Sequence, residues 1–279
     1  MGPLVTTEWV AARVGAPELR IADVRWYLDP AKKGREQYLA GHLPGAVFFD
    51  VDADLAAPGG ARGGTLGRHP WPPPEQVARV MSRAGIGERT QVVAYDDQGG
   101  AIAARLWFLL RVHGHLDVAV LDGGIAKWKA EGRPLETAEP RVAPEHFEPR
   151  FDAARVLSKA QLLALVGSGD ALLLDARAPE RYRGETEPID PRAGRVPGAR
   201  NAPFSGNLGA GALFLEPEAL RRRYAELGAA EREPIVYCGS GITACHDLLA
   251  LEIAGLRGRL YAGSWSEWSS DEALPLEKG

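Results

Sequence analysis

Cys238 closes the apolar run Ile235-Val236-Tyr237 and opens Gly239-Ser240-Gly241-Ile242-Thr243-Ala244, small and permissive residues that lead into helical apolar spacing. A thiol at the end of a strand and the start of a helix would lie among backbone N–H groups, at the positive end of the helix dipole. That setting favours the nucleophilic thiolate, with the loop amides of Gly239, Ser240, Gly241, Ile242 and Thr243 stabilising negative charge on sulfur. The expected chemistry is therefore nucleophilic attack and a covalent intermediate.

Other readings of the same residues make different demands. An isolated cysteine is ordinarily a small buried hydrophobe, and Cys245 is read that way, as a packed helix residue, with a resolving thiol as the alternative. Gly239-Ser240-Gly241-Ile242-Thr243-Ala244 also fits a dinucleotide-binding fingerprint, but the next strand candidate, Arg259-Leu260-Tyr261-Ala262, supplies no acidic residue for a ribose. A cysteine phosphatase loop needs an arginine six positions after its thiolate, where this chain has Ala244. There is no C-x-x-C or H-E-x-x-H, and His113-Gly114-His115 alone lacks the ligand count for zinc, so no metal and no cofactor are expected. The charged stretch from Asp175 to Gly184 leaves a strand candidate of the same half. Arg181, with Arg192 next, could bind an anionic substrate bidentately, while Arg177 is expected to pair with Asp175.

The elements that must position these residues occur twice. Ile21-Ala22-Asp23-Val24-Arg25 recurs as Leu173-Leu174-Asp175-Ala176-Arg177, and His42-Leu43-Pro44-Gly45-Ala46 as Arg195-Val196-Pro197-Gly198-Ala199. Val92-Val93-Ala94-Tyr95-Asp96 matches Pro234-Ile235-Val236-Tyr237-Cys238, and Gly123 with Trp128 matches Gly263 with Trp268. Four landmarks in one order imply a duplicated fold in which the first copy carries Asp96 where the second carries the thiol. Val118–Leu121 and Leu172–Leu174 look like buried strands, whereas Ala101–Val112 and Cys245–Ala254 have helical spacing. This alternation predicts an α/β fold, each copy a mainly parallel sheet covered by helices on both faces. Pro134–Pro149 reads as a linker, which divides the chain into 1–140 and 141–279. A single site is expected at the carboxyl end of the Cys238 strand.

Composition sets outer limits. The 279 residues suit two domains of about 140. A net charge of −4 with 45% hydrophobic residues carries no electrostatic footprint for nucleic acid. The N-terminus lacks a secretory pattern, and no run approaches the ~18 apolar residues of a membrane span. With only two cysteines, spaced too far apart along a helix to bridge, a cytoplasmic location is expected.

With these residues in view, the chain resembles the two-domain rhodanese family of sulfurtransferases along nearly its whole length. Cys238-Gly239-Ser240-Gly241-Ile242-Thr243-Ala244 resembles the active loop of the 3-mercaptopyruvate branch, and thiosulfate-preferring members typically carry basic residues directly after the cysteine. Asp23-Val24-Arg25-Trp26-Tyr27, Gly41–Asp50 and Gly263–Trp268 match as well. The resemblance implies a Cys238 persulfide, with a small-molecule sulfur donor and an acceptor such as thioredoxin, a low-molecular-weight thiol or cyanide. It implies that Arg181 and Arg192 bind the donor, that Trp26 lies near the active sulfur, and that His69 couples to Ser240. A non-enzymatic sulfur carrier or interaction module is the competing class. Arg195 replaces the family's usual histidine in the second copy of the His-x-Pro-Gly motif.

Overall fold

The computed structural model describes residues 1–169 and 171–279. Ten strands form two five-stranded sheets in which every pairing is parallel. The first sheet contains β1 (Leu4–Val5), β2 (Leu19–Asp23), β3 (Val47–Phe48), β4 (Gln91–Tyr95) and β5 (Val118–Leu121), in the order β1-β5-β4-β2-β3. The second contains β6 (Val156–Leu157), β7 (Leu173–Asp175), β8 (Arg200–Asn201), β9 (Ile235–Tyr237) and β10 (Arg259–Tyr261), in the order β6-β10-β9-β7-β8. The two orders are the same, so the weak sequence repeat is a repeat of topology.

Central strands covered on both faces require apolar residues at every position, and β5 and β9 are buried throughout. The helices that follow the two middle strands are themselves almost enclosed. In Ala103–Val112 every residue except Arg111 is buried, and in Thr243–Ile253 so is the run Ala244–Leu251. A helix apolar on all sides has no solvent face to lose, which is why these two show little amphipathic pattern. Their observed starts lie two residues from those expected from spacing. Other helices begin where local chemistry dictates, at Pro74, Pro179 and Pro217 in the first turn, or at Ser158, whose hydroxyl and Gln161 form a reciprocal cap.

The duplication extends to buried polar anchors. Arg25 binds Asp23 and the Gly41 carbonyl, and Arg177 binds Asp175 and the Gly194 carbonyl. The Tyr95 hydroxyl accepts from Leu43 N–H, as the Tyr237 hydroxyl does from Val196 N–H. Trp128 and Trp268 donate to the Pro134 and Pro275 carbonyls. Both ion pairs are buried, so truncating one partner would strand a charge at a cost of about 3–5 kcal/mol.

Two compact units result. One comprises residues 1–55, 72–151 and 209–214, and the other 56–71, 152–208 and 215–279. By compactness the chain divides at 151/152, and two short segments belong to the unit opposite their place in the chain. Pro134–Pro149 contains no helix or strand beyond a bridge at Glu136, but it is not a free linker. Glu145 and Phe147 bond to Ser82 through their backbone N–H groups, and the Phe147 ring is buried. Segment 56–71 matters most, because it carries His69 into the unit that holds Cys238.

Candidate active site

β9 ends at Tyr237, and Cys238 is the next residue, at the carboxyl end of a strand flanked by β10 and β7. The chain turns through Gly241, at φ +78°, and enters the helix Thr243–Ile253. The Gly241 N–H lies 3.1 Å from Cys238 Sγ, so the first loop amide that the turn turns inward is aimed at the sulfur. A positive φ at this position is open to glycine at little cost, which makes Gly241 part of the sulfur's setting.

The loop is held from the other side by the start of a short helix, Ser264–Trp268. Cys238 N–H donates to Ser264 Oγ, and the carbonyls of Cys238 and Gly239 accept from Trp265 and Ser266 N–H. Cys238 is 2% exposed. Cys245 is fully buried one turn into the following helix, and its thiol donates to the Gly241 carbonyl at 3.3 Å, in keeping with a packed helix residue.

The first unit shows what such a loop holds when the thiol is replaced. Asp96 follows β4 as Cys238 follows β9, and its carboxylate accepts from the N–H groups of Gln98, Gly100, Ile102 and Ala103 at 2.7–2.9 Å. Burial raises the Asp96 pKa above the ordinary carboxylate value, and the four amides oppose that shift. A carboxylate thus holds four loop amides in the first unit, where in the second the Gly241 N–H is bonded to sulfur.

His69 and Ser240 meet as the family resemblance implied. His69 Nδ1 stands 2.7 Å from Ser240 Oγ, and both side chains are buried. Arg181 is also close to the loop: a Cβ built on Gly239 would lie 3.4 Å from its Nη1. Its Nη2 donates to Glu187 at 2.7 Å and to Asp190 at 3.2 Å. Arg177 pairs with Asp175 and reaches Glu187; burial works to lower its pKa, but the Asp175 carboxylate outweighs that and the value is raised.

Arg192, the other arginine expected to bind the donor, is engaged with backbone carbonyls. Its Nε, Nη1 and Nη2 donate to the backbone carbonyls of Ser269, Leu274, Trp268 and Asp271, which commits four of its five N–H groups to closing the chain's C-terminal segment. Trp26 lies in the first unit, where its indole N–H donates to Asp52 and its carbonyl accepts from Gln98.

One residue was missed. Arg68, directly before His69, places Nη2 2.7 Å from a Cβ built on Gly239, and its Nη1 pairs with Asp190. The sequence signal was a cation beside the candidate histidine in Arg68-His69-Pro70, obscured by the glycine- and proline-rich run around it. Together the guanidiniums explain Gly239, since any side chain there would press on Arg68.

The chain matches the rhodanese-like domain over residues 6–131 and again over 158–271. It is 46% identical over 280 residues to a Pseudomonas aeruginosa protein named "Probable 3-mercaptopyruvate sulfurtransferase", covering 99% of this chain and 98% of that one. The thiosulfate sulfurtransferase of Bos taurus is 34% identical over 278 residues, with 95% and 91% covered. The crystal structure of SseA from Escherichia coli, described as a 3-mercaptopyruvate sulfotransferase of rhodanese fold, superimposes with a TM-score of 0.84 at 30% identity over 95% of this chain and 99% of that one. A tandem parallel fold, a cradled thiol in the second copy alone and these two domain matches make the chain a member of the rhodanese family.

Proposed function

We propose that this chain moves sulfur from 3-mercaptopyruvate to a thiol acceptor through a persulfide on Cys238. The chain is a sulfurtransferase, and the observation that carries the proposed site is the Gly241 N–H aimed at Cys238 Sγ at 3.1 Å. The Cys238 thiolate attacks the donor sulfur, an S–S bond forms, and the C–S bond breaks with its electron pair going to carbon as the enolate of pyruvate. A proton then completes pyruvate. His69 and Ser240, 2.7 Å apart, form a path by which that proton is supplied.

The second half-reaction needs no new machinery. An acceptor thiolate attacks the outer sulfur, takes it as its own persulfide and releases the Cys238 thiolate, so the kinetics are ping-pong. Loop amides stabilise charge on sulfur in both halves, and no cofactor enters as a reactant. Reduced thioredoxin, low-molecular-weight thiols and cyanide suit the acceptor step chemically. A reducing cytoplasm would keep Cys238 and Cys245, both free, in the thiol form.

Charge favours mercaptopyruvate over thiosulfate. Thiosulfate is a compact dianion that gains from cations beside the attacked sulfur, whereas mercaptopyruvate carries its single charge on a carboxylate farther along. Gly239 and Ser240 bring no cation of their own next to Cys238, and the nearby guanidiniums of Arg181 and Arg68 share their charge with Glu187 and Asp190. Thiosulfate with sulfite as leaving group is the second reading, because relatives bearing each name are similar over most of this chain.

Intact-protein mass spectrometry after incubation with each donor tests the assignment. A gain of one sulfur atom on the wild type and none on Cys238→Ala is expected. No adduct with either donor would leave the chain a carrier or scaffold.

A further inference from the structure

We infer that Arg68 is the second donor-binding arginine of this site, and that Asp190, held between Arg68 and Arg181, tunes the pair to a monoanionic carboxylate. The identity of the donor as an α-keto acid thiol rests on the sulfur-transfer reading above; the anion-binding role of Arg68 does not.

Charges of alternating sign run in a row through the second unit. Asp175 pairs with Arg177, Arg177 with Glu187, Glu187 with Arg181, Arg181 with Asp190, and Asp190 with Arg68. Each interior member has an opposite charge on both sides. Arg68 is the end of the row and has one carboxylate, which it shares.

A guanidinium is seldom buried on half a partner. The Arg68 side chain is only 9% exposed, and its Nε, also buried, has no hydrogen-bond partner among the described residues. Its Nη2 faces Gly239, the residue after the nucleophile, together with Arg181 Nη1. An anion held against Gly239 would meet two guanidiniums, planar donors of the kind that carboxylates accept bidentately. It would give the end of the row the second negative neighbour that every other arginine in it already has.

Asp190 sets how much charge the pair will take. Arg68, Arg181, Glu187 and Asp190 sum to zero, so one added negative charge is accommodated by hydrogen bonds while two bring repulsion from the fixed carboxylates. Gly239 is part of the same device. The Cβ of a basic side chain after the cysteine would lie 2.7 Å from Arg68 Nη2, so Arg68 would have to shift to admit it.

Alkylation of Cys238 separates this inference from sulfur transfer. Iodoacetate and iodoacetamide both displace iodide with the same thiolate, so the ratio of their rates cancels any change in thiolate content and reports only how well the site receives a carboxylate. Arg68→Gln is expected to lower the iodoacetate-to-iodoacetamide ratio about tenfold, the scale of one charged hydrogen bond. Asp190→Asn is expected to raise it. Should Arg68→Gln fail to fold, Arg68→Lys keeps a cation on Asp190 but lacks the planar fork, and is expected to lower the ratio at least about threefold. A ratio within twofold of wild type in the folded Arg68 variant, Gln or Lys, overturns the inference. A wild type that takes no sulfur from any donor would sink the transferase reading and leave the alkylation result to stand by itself.

Discussion

His69 Nδ1 and Ser240 Oγ stand 2.7 Å apart although 171 positions separate them in the chain. Segment 56–71 folds with the second unit and delivers the imidazole to a hydroxyl two residues beyond the nucleophile. A donor whose leaving group is a carbon enolate needs a proton, whereas sulfite leaves as a stable anion. Ser240→Ala and His69→Gln should therefore lower kcat for mercaptopyruvate by about 100-fold, the lower end of general acid–base contributions, while altering kcat for thiosulfate by less than about threefold. Parallel steady-state assays with both donors decide this, and equal losses for the two would remove the proton path.

Gly239 is expected to tolerate nothing larger than hydrogen. Its Cβ would lie 2.7 Å from Arg68 Nη2, and Arg68 is itself tied to Asp190 and through its backbone N–H to Ser266 Oγ. Gly239→Ala should destabilise the fold by about 1–3 kcal/mol through overpacking. Gly239→Arg should lose mercaptopyruvate activity without acquiring thiosulfate preference, since the new cation displaces one already there. Urea denaturation midpoints and a donor comparison measure the two effects.

Arg192 belongs to stability. Its bonds to the carbonyls of Trp268, Ser269, Asp271 and Leu274 hold the segment that follows the helix Ser264–Trp268. Arg192→Met should cost about 2–4 kcal/mol, because charged hydrogen bonds to buried carbonyls are lost together. The KM for donor should stay within about twofold of wild type at a temperature where the variant is folded. A large rise in KM with an unchanged melting temperature would return Arg192 to the donor site.

Much of this was readable in the chain because it depends on local pattern. The strand-to-loop-to-helix run through Cys238, the Asp175–Arg177 pair and the duplicated landmarks are features of short segments, and repetition at one spacing makes them visible twice. Arg68 was not legible, because its meaning depends on Asp190, which lies far away in sequence. Arg192 shows the same dependence on distant residues: its part in donor binding is an expectation from the resemblance, while its bonds go to backbone carbonyls 76 to 82 positions along the chain. Prolines mark the irregular stretch 134–149, but composition does not show that the N–H groups of Glu145 and Phe147 attach it to the first unit.

Asp247 gives the fold a pH dependence that is separate from catalysis. It is fully buried in the helix that follows the Cys238 loop, accepts from Asn207 Nδ2 at 2.7 Å, and has a second oxygen without a hydrogen-bond partner among the described residues. Burial pushes its pKa up to about 7, against the opposing pull of Asn207 and Arg223. In the unfolded chain the same carboxyl releases its proton near 3.8, so between these values the folded state binds the proton and the unfolded state does not. Its favourable contribution is complete below about pH 4, is lost as pH rises, and is gone above about pH 7. Asp247→Asn keeps the acceptor for Asn207 and removes the titration. The variant should match wild type near pH 5 within about 1 kcal/mol and exceed it at pH 8 by on the order of 2–4 kcal/mol. Thermal melts across pH 5–8 test this: parallel profiles for the two proteins would mean that Asp247 is ionised throughout.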